Sequence, residues 1–238
     1  MTKPNSTEII FVVDRSGSMQ NIAADMRGGF DAFITKQKET PGECKVTLAQ
    51  FDDHYDVVYS ARPLNEVAAL ELEPRGSTAL LDALGRTISE TGARLKKMRE
   101  SERPSQVLFV VVTDGHENAS REWNRDRVFR MITEQREKYN WEFIFLGANQ
   151  DSIATATALG ISASNSVTYD ANAGGSKALF RGLSANVSSY RGSGQGRMEN
   201  LYNQASYNAS LDPNAKDADL VAPVVPDVKL TVDVKTSK

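Results

Sequence analysis

The sequence predicts an α/β protein: a doubly wound, mostly parallel central sheet with one antiparallel edge strand and helices on both faces. Three observations carry this. Short continuous apolar runs at residues 9–13 and 107–112 read as strands buried on both faces. Longer amphipathic stretches alternate with such runs, as crossover helices do. Two further segments, 45–51 and 55–59, are separated only by Asp52, Asp53 and His54, which is most simply an antiparallel hairpin.

In chain order, Ile9-Ile10-Phe11-Val12-Val13 is the first strand. Residues 20–38 follow as a helix with Ile22, Met26, Phe30, Phe33 and Ile34 at helical spacing. The hairpin ends at Pro63. Residues 78–99 carry Leu81, Leu84, Ile88, Leu95 and Met98 on one face, and the basic pair Lys96-Lys97 suits the negative end of the helix dipole. The run 107–112 is the most apolar in the chain and is read as the central strand. Ser120 is the expected cap of the next helix, with Val128, Met131, Ile132 and Tyr139 as its buried stripe. A strand at 141–146, a short helix at 151–159, a strand at 166–169 and a helix at 176–190 complete the pattern. One domain is therefore expected over 1–190. Residues 191–238 shift to Gly, Asn, Ala and Pro and read as a flexible tail, with an alternating segment at 228–234 that could add as an edge strand.

Composition narrows the function. The 238 residues suffice for a real core, with 40% hydrophobic residues. Lys and Arg number 28 against 31 Asp and Glu, a net charge of −3, which argues against a general nucleic-acid binder. Cys44 is the one cysteine and is read as a small buried hydrophobe; with only His54 and His116 beside it, a Cys/His zinc site is excluded. Any metal must be held mainly by oxygen. The polar N-terminal residues and the shortness of the first apolar run lead to the expectation of a cytoplasmic protein without membrane contact.

Three loops fall where doubly wound sheets bind ligands. The first, after the first strand, reads Asp14-Arg15-Ser16-Gly17-Ser18. The second, Gly76-Ser77-Thr78, opens the second long helix, and the third, Thr113-Asp114-Gly115, follows the central strand. Two carboxylates and three hydroxyls thus converge on one crevice, a set suited to a hard divalent cation. Mg²⁺ takes roughly six oxygen ligands at about 2.1 Å and commonly keeps several waters beside one or two carboxylates. With two negative and three neutral donors the cation stays electrophilic and can accept an anionic ligand from outside.

The pattern of Asp14, Ser16, Ser18, Thr78 and Asp114 resembles the metal-ion-dependent adhesion site of the von Willebrand factor A domain family. The surrounding words agree: Phe-Val-Val-Asp-Arg-Ser-Gly-Ser-Met, Gly-Ser-Thr-Ala-Leu-Leu-Asp-Ala-Leu and Val-Val-Val-Thr-Asp-Gly-His-Glu-Asn. The resemblance covers about residues 6–190. It implies a Rossmann-like fold and those five residues as ligands of Mg²⁺ (or Mn²⁺ or Ca²⁺). It also implies a protein partner whose Asp or Glu completes the metal's coordination, in a non-catalytic interaction module of the intracellular bacterial or phage type. Ser77, His116, Glu117 and Asn118 are then expected at the rim, shaping partner choice.

Other readings compete. A lone Asp-x-Ser-Gly-Ser is often only a turn and helix cap. His116 beside Asp114 suggests a triad with Ser16, but no nucleophile elbow precedes a helix here. A Mg²⁺-dependent phosphate-ester hydrolase would have Asp14 and His116 as its only candidate groups. A structural part of a larger assembly, docked by the tail, is a third reading. Asp52, Asp53 and His54 read as a solvated turn, Asp82 and Gly85 as helix-start and packing residues, and Trp123, Trp141, Phe143 and Phe145 as core.

Overall fold

In the computed structural model, which describes residues 1–148, 151–194, 198 and 200–223, the chain builds on β1 (Lys3–Asp14). Its side chains alternate between the two sheet faces, as a strand buried on both sides requires. Ile9, Phe11 and Val13 enter one apolar core and Ile10 and Val12 the other. The remaining strands are β2 (Glu43–Phe51), β3 (Tyr55–Pro63), β4 (Pro104–Thr113), β5 (Glu142–Ala148) and β6 (Ser166–Tyr169), in the sheet order β3-β2-β1-β4-β5-β6. All neighbours run parallel except β2 and β3, the hairpin that forms one edge.

On the first face lie α1 (Ala23–Lys38) and α5 (Ala173–Ser193). Phe11 meets the rings of Phe30 and Phe33 edge-on at 5.0 and 5.2 Å, tying β1 to α1. The other face carries α2 (Leu80–Lys97), α3 (Arg125–Tyr139) and α4 (Ser152–Ala158), over a second core in which Phe109 stacks between Trp141 and Phe143. The fold class, the buried aromatics of β5 and the buried Cys44 agree with the sequence reading.

Local departures have clear causes. β1 begins at Lys3, six residues before the apolar run: exposed Lys3 pairs with Pro104 through the backbone, and the polar Thr7 and Glu8 are buried with partners, Thr7 donating to Gln106 at 2.7 Å and Glu8 accepting from Thr47 and Arg94. The cap of α3 is Asn124, whose side chain accepts from the Arg127 amide, rather than Ser120. Tyr139 ends that helix exposed, not buried.

The boundary expected at residue 190 cuts through α5. Arg191 is buried and donates to the carbonyls of Gln37 and Thr40. Beyond it, α6 (Gln204–Ser210) and α7 (Asp217–Leu220) fold back onto α5. Tyr202 donates to the Leu179 carbonyl at 2.9 Å, and the Asn186 amide bonds the Leu220 carbonyl and the Ala222 amide. Gln204 bonds both the N–H and the C=O of Thr168, covering the free edge of β6 as another strand would. A flexible tail is therefore not what residues 200–223 form; the segment 228–234 lies outside the described residues.

Candidate metal centre

The chain leaves β1 toward β2 and β3 on one side, then returns to place β4, β5 and β6 on the other. The strand order therefore reverses between β1 and β4, and the crevice beyond their C-terminal ends is the natural ligand position of an open α/β sheet. Asp14 ends β1 and Thr113 ends β4, one step past the paired Val13 and Val112.

Asp14 is fully buried. Its Oδ1 accepts from the Ser16 amide and its Oδ2 from the Thr113 hydroxyl, both at 2.6 Å. Burial pushes the Asp14 carboxyl up from 3.8 to about 6; the Thr113 and Ser16 hydrogen bonds pull the other way, and the nearby charge of Asp114 adds to the rise. Asp114, half-buried, is also raised by desolvation and is held by Ser18, whose hydroxyl donates to it at 2.6 Å. Ser16 Oγ lies 3.1 Å from Ser18 Oγ.

Gly115 shows where these groups meet. A Cβ at that position would stand 2.8 Å from Thr78 Oγ1, 3.5 Å from Ser18 Oγ and 3.6 Å from Asp14 Oδ2. Oxygens from the loop after β1 and the loop before α2 thus face one point beside the third loop, held open by the missing side chain of Gly115. Such a cradle of one buried carboxylate, two hydroxyls and a second carboxylate bonded to one of them fits a hard cation, and the charge would offset the cost of burying ionised Asp14. Asp14, Ser18 and Thr78 lie directly at the point; Ser16 and Asp114 join through Ser18.

The expected rim divides in two. Ser77, His116 and Asn118 are exposed. The side-chain oxygens of half-buried Glu117 and of Asn118 turn to the start of α2. The Glu117 carboxylate accepts from the amides of Leu81, Ala119 and Ser120 and from the Ser120 hydroxyl. Asn118 Oδ1 accepts from the Thr78 amide, and the Thr78 carbonyl accepts from the amides of Asn118 and Ala119. Asp82 answers from α2 by accepting from the amides of Arg121, Glu122 and Trp123. Spacing alone does not show this cross-bracing; the signal for it is an acid near the start of α2 and another in the facing loop.

Asp52, Asp53 and His54 form the β2–β3 turn, with Asp52 buried rather than solvated, and their donor atoms lie within 4.8 Å of one another. Asp52 is already committed: Arg15 and Arg75 each place a guanidinium on it at 2.9 and 2.8 Å. Among the described residues His116 has no hydrogen bond or ion pair, so nothing couples it to Ser16 or Asp14 as a triad would require.

A sequence model of the von Willebrand factor type A domain matches residues 8–180. The chain belongs to that family. Domains of the family are typically metal-dependent adhesion or protein-binding modules and are usually non-catalytic. No curated protein matches the chain. Among solved structures, proximal thread matrix protein 1 from the mussel byssus is 15% identical, with a TM-score of 0.54 over 75% of this chain and 45% of its own. The pilus adhesin SpaC from Lactobacillus rhamnosus GG gives 15% identity and a TM-score of 0.61 over 79% of this chain and 30% of its own. The manganese-loaded TRAP protein of Plasmodium vivax gives 14% and 0.50, over 71% and 70%. At these identities the likeness is one of fold. The von Willebrand factor type A domain described here spans less than half of the first two proteins, and its residues 181–223 lie beyond the family match.

Proposed function

We propose that this von Willebrand factor type A domain is a divalent-cation-dependent protein-binding module. Asp14, Ser16, Ser18, Thr78 and Asp114 would form a metal-ion-dependent adhesion site for Mg²⁺, with Mn²⁺ or Ca²⁺ as substitutes. When bound, the cation would supply a Lewis-acidic position for an Asp or Glu carboxylate of a partner protein. The observation that carries this reading is the convergence of Thr78 Oγ1, Ser18 Oγ and Asp14 Oδ2 around Gly115. The manganese carried by the Plasmodium vivax TRAP protein gives it further support.

The chain's own residues prepare the site in three ways. Thr113 and the Ser16 amide orient the two oxygens of Asp14. Ser18 fixes Asp114, and a hydroxyl that donates to a carboxylate keeps its lone pairs for another purpose. Asn118 holds the Thr78 backbone, and Glu117 and Asp82 hold the start of α2, against the loop after β4. The test is affinity capture from the native host with wild type and Asp14→Ala, each with and without chelator. A partner retained only by wild type in Mg²⁺ supports the proposal; the same captured proteins in all four conditions would refute it.

A further inference from the structure

Beside the candidate metal centre, a recess of about 390 Å³ opens between the start of α2, the loop after β4, and α4. Leu80, Ala158 and Leu159 form its apolar wall, and His116, Glu117 and Arg125 stand around it. The recess shares both loops with the centre: Leu80 is two residues past Thr78, and His116 two past Asp114. At 3.8 Å per Cα step, each lies within about 8 Å of backbone from a candidate ligand residue.

The hydrogen-bonding capacity around the recess is one-sided. Glu117 accepts from three backbone amides and the Ser120 hydroxyl, so its oxygens are occupied although it keeps its charge. Asp151, the acid at the start of α4, accepts from the Ala154 amide. The side chains of Arg125 and His116 carry no hydrogen bond or ion pair among the described residues. An unpartnered guanidinium at the rim of an apolar recess, continuous with a site for a carboxylate, is complementary to an acidic segment that also carries an aliphatic side chain.

We infer that the recess is the second half of the partner-binding surface. It receives an aliphatic side chain next to the metal-binding Asp or Glu of the partner, and Arg125 meets a further carboxylate of the same segment. This rests on the proposed function and names the partner's chemistry: a short acidic–aliphatic segment. Affinity comes from the apolar wall and orientation from Arg125. The carboxylate at the metal would act as the anchor common to all ligands.

The test uses the full chain, ¹⁵N-labelled in Mg²⁺, titrated with acetyl-Asp-Leu-Glu-amide and acetyl-Asp-Gly-Glu-amide. Both peptides are expected to shift the Gly17 and Gly115 amides. Only the leucine peptide should shift Ala154 and Ala158, and it should bind about tenfold tighter. Ala158→Phe, at an exposed position of α4, should erase that advantage while leaving Mg²⁺ affinity unchanged. Replacing the peptide's Glu by Gln should cost about threefold in wild type and nothing in Arg125→Ala. Equal affinity for the two peptides, with shifts confined to the metal loops, overturns the inference and leaves the proposed function standing. Absence of shifts at Gly17 and Gly115 with either peptide, or the same shifts in excess chelator, overturns both.

Discussion

Ser18 donates a 2.6 Å hydrogen bond to Oδ1 of Asp114, and this contact joins the loop after β1 to the loop after β4 across the reversal of strand order. Ser18→Ala removes both a candidate ligand and the group that orients Asp114. Loss of such an orienting partner costs about 10- to 100-fold in metal affinity. Titration calorimetry with Mg²⁺ is expected to read a loss in that range, with the far-ultraviolet circular dichroism unchanged.

Asp14 makes the metal-free protein pH-dependent. Its carboxyl is raised from 3.8 to about 6, chiefly by burial, so the folded state holds a proton that the unfolded state has released between those values. The group's stabilising contribution is therefore full below about pH 3.8 and is lost as pH rises through about 6. At neutral pH the metal-free protein carries a penalty of at most about 3 kcal/mol. Asp14→Asn can keep both local bonds, because its Oδ1 can accept from Ser16 and Thr113 can turn to accept from Nδ2. In EDTA at pH 7 that variant should melt higher than wild type, with the gap closing toward pH 4. Mg²⁺ should raise the wild-type melting temperature only, and less so below pH 6. A gap that is constant with pH would contradict this.

Glu117 braces the start of α2. Its carboxylate takes the Leu81 amide, one of the four unpaired donors at that helix start, together with two amides of its own loop. Glu117→Ala leaves these groups without an acceptor and is expected to cost about 2 kcal/mol in urea unfolding, hydrogen bonds to charged groups contributing about 1.5–3 kcal/mol. Metal affinity should fall with it, since Thr78 sits on the same bracing. Unchanged stability would show that Glu117 is free for another role.

Residues 200–223 pack onto the folded unit. Truncation after Gly194 removes buried Tyr202, Tyr207 and Leu220 and uncovers the α5 face beneath them. At about 1.5–3 kcal/mol for each large apolar side chain, the loss should be several kcal/mol. The milder Tyr202→Phe deletes only the hydroxyl bonded to Leu179 and should cost about 1 kcal/mol. A truncated chain that melts like wild type would refute this placement.

The sequence showed the sheet because its strands are continuous apolar runs, and the candidate site because Asp14, Ser18 and Thr78 sit at loop positions that any doubly wound sheet brings together. What it hid was polar. Thr7 and Glu8 lengthen β1 by pairing inside the fold, which hydropathy scores as surface. The bracing of the start of α2 by Glu117 and Asn118 was hidden because side-chain-to-backbone bonding across 36 and 40 residues leaves no periodic trace. The Asn- and Ala-rich stretch past Arg191 read as tail because its buried apolar groups, Leu201, Tyr202, Tyr207 and Leu220, are scattered among Gly, Asn and Pro without a helical or strand period.

The central claim is that one divalent cation binds at the crevice between β1 and β4. The most direct measurement is anomalous diffraction at the manganese edge from crystals of the full chain grown with Mn²⁺. A single strong peak bounded by Asp14, Ser16, Ser18, Thr78 and Asp114, absent in Asp14→Ala, is the predicted result. A peak instead at Asp52, Asp53 and His54, or none in the crevice at saturating Mn²⁺, would contradict it.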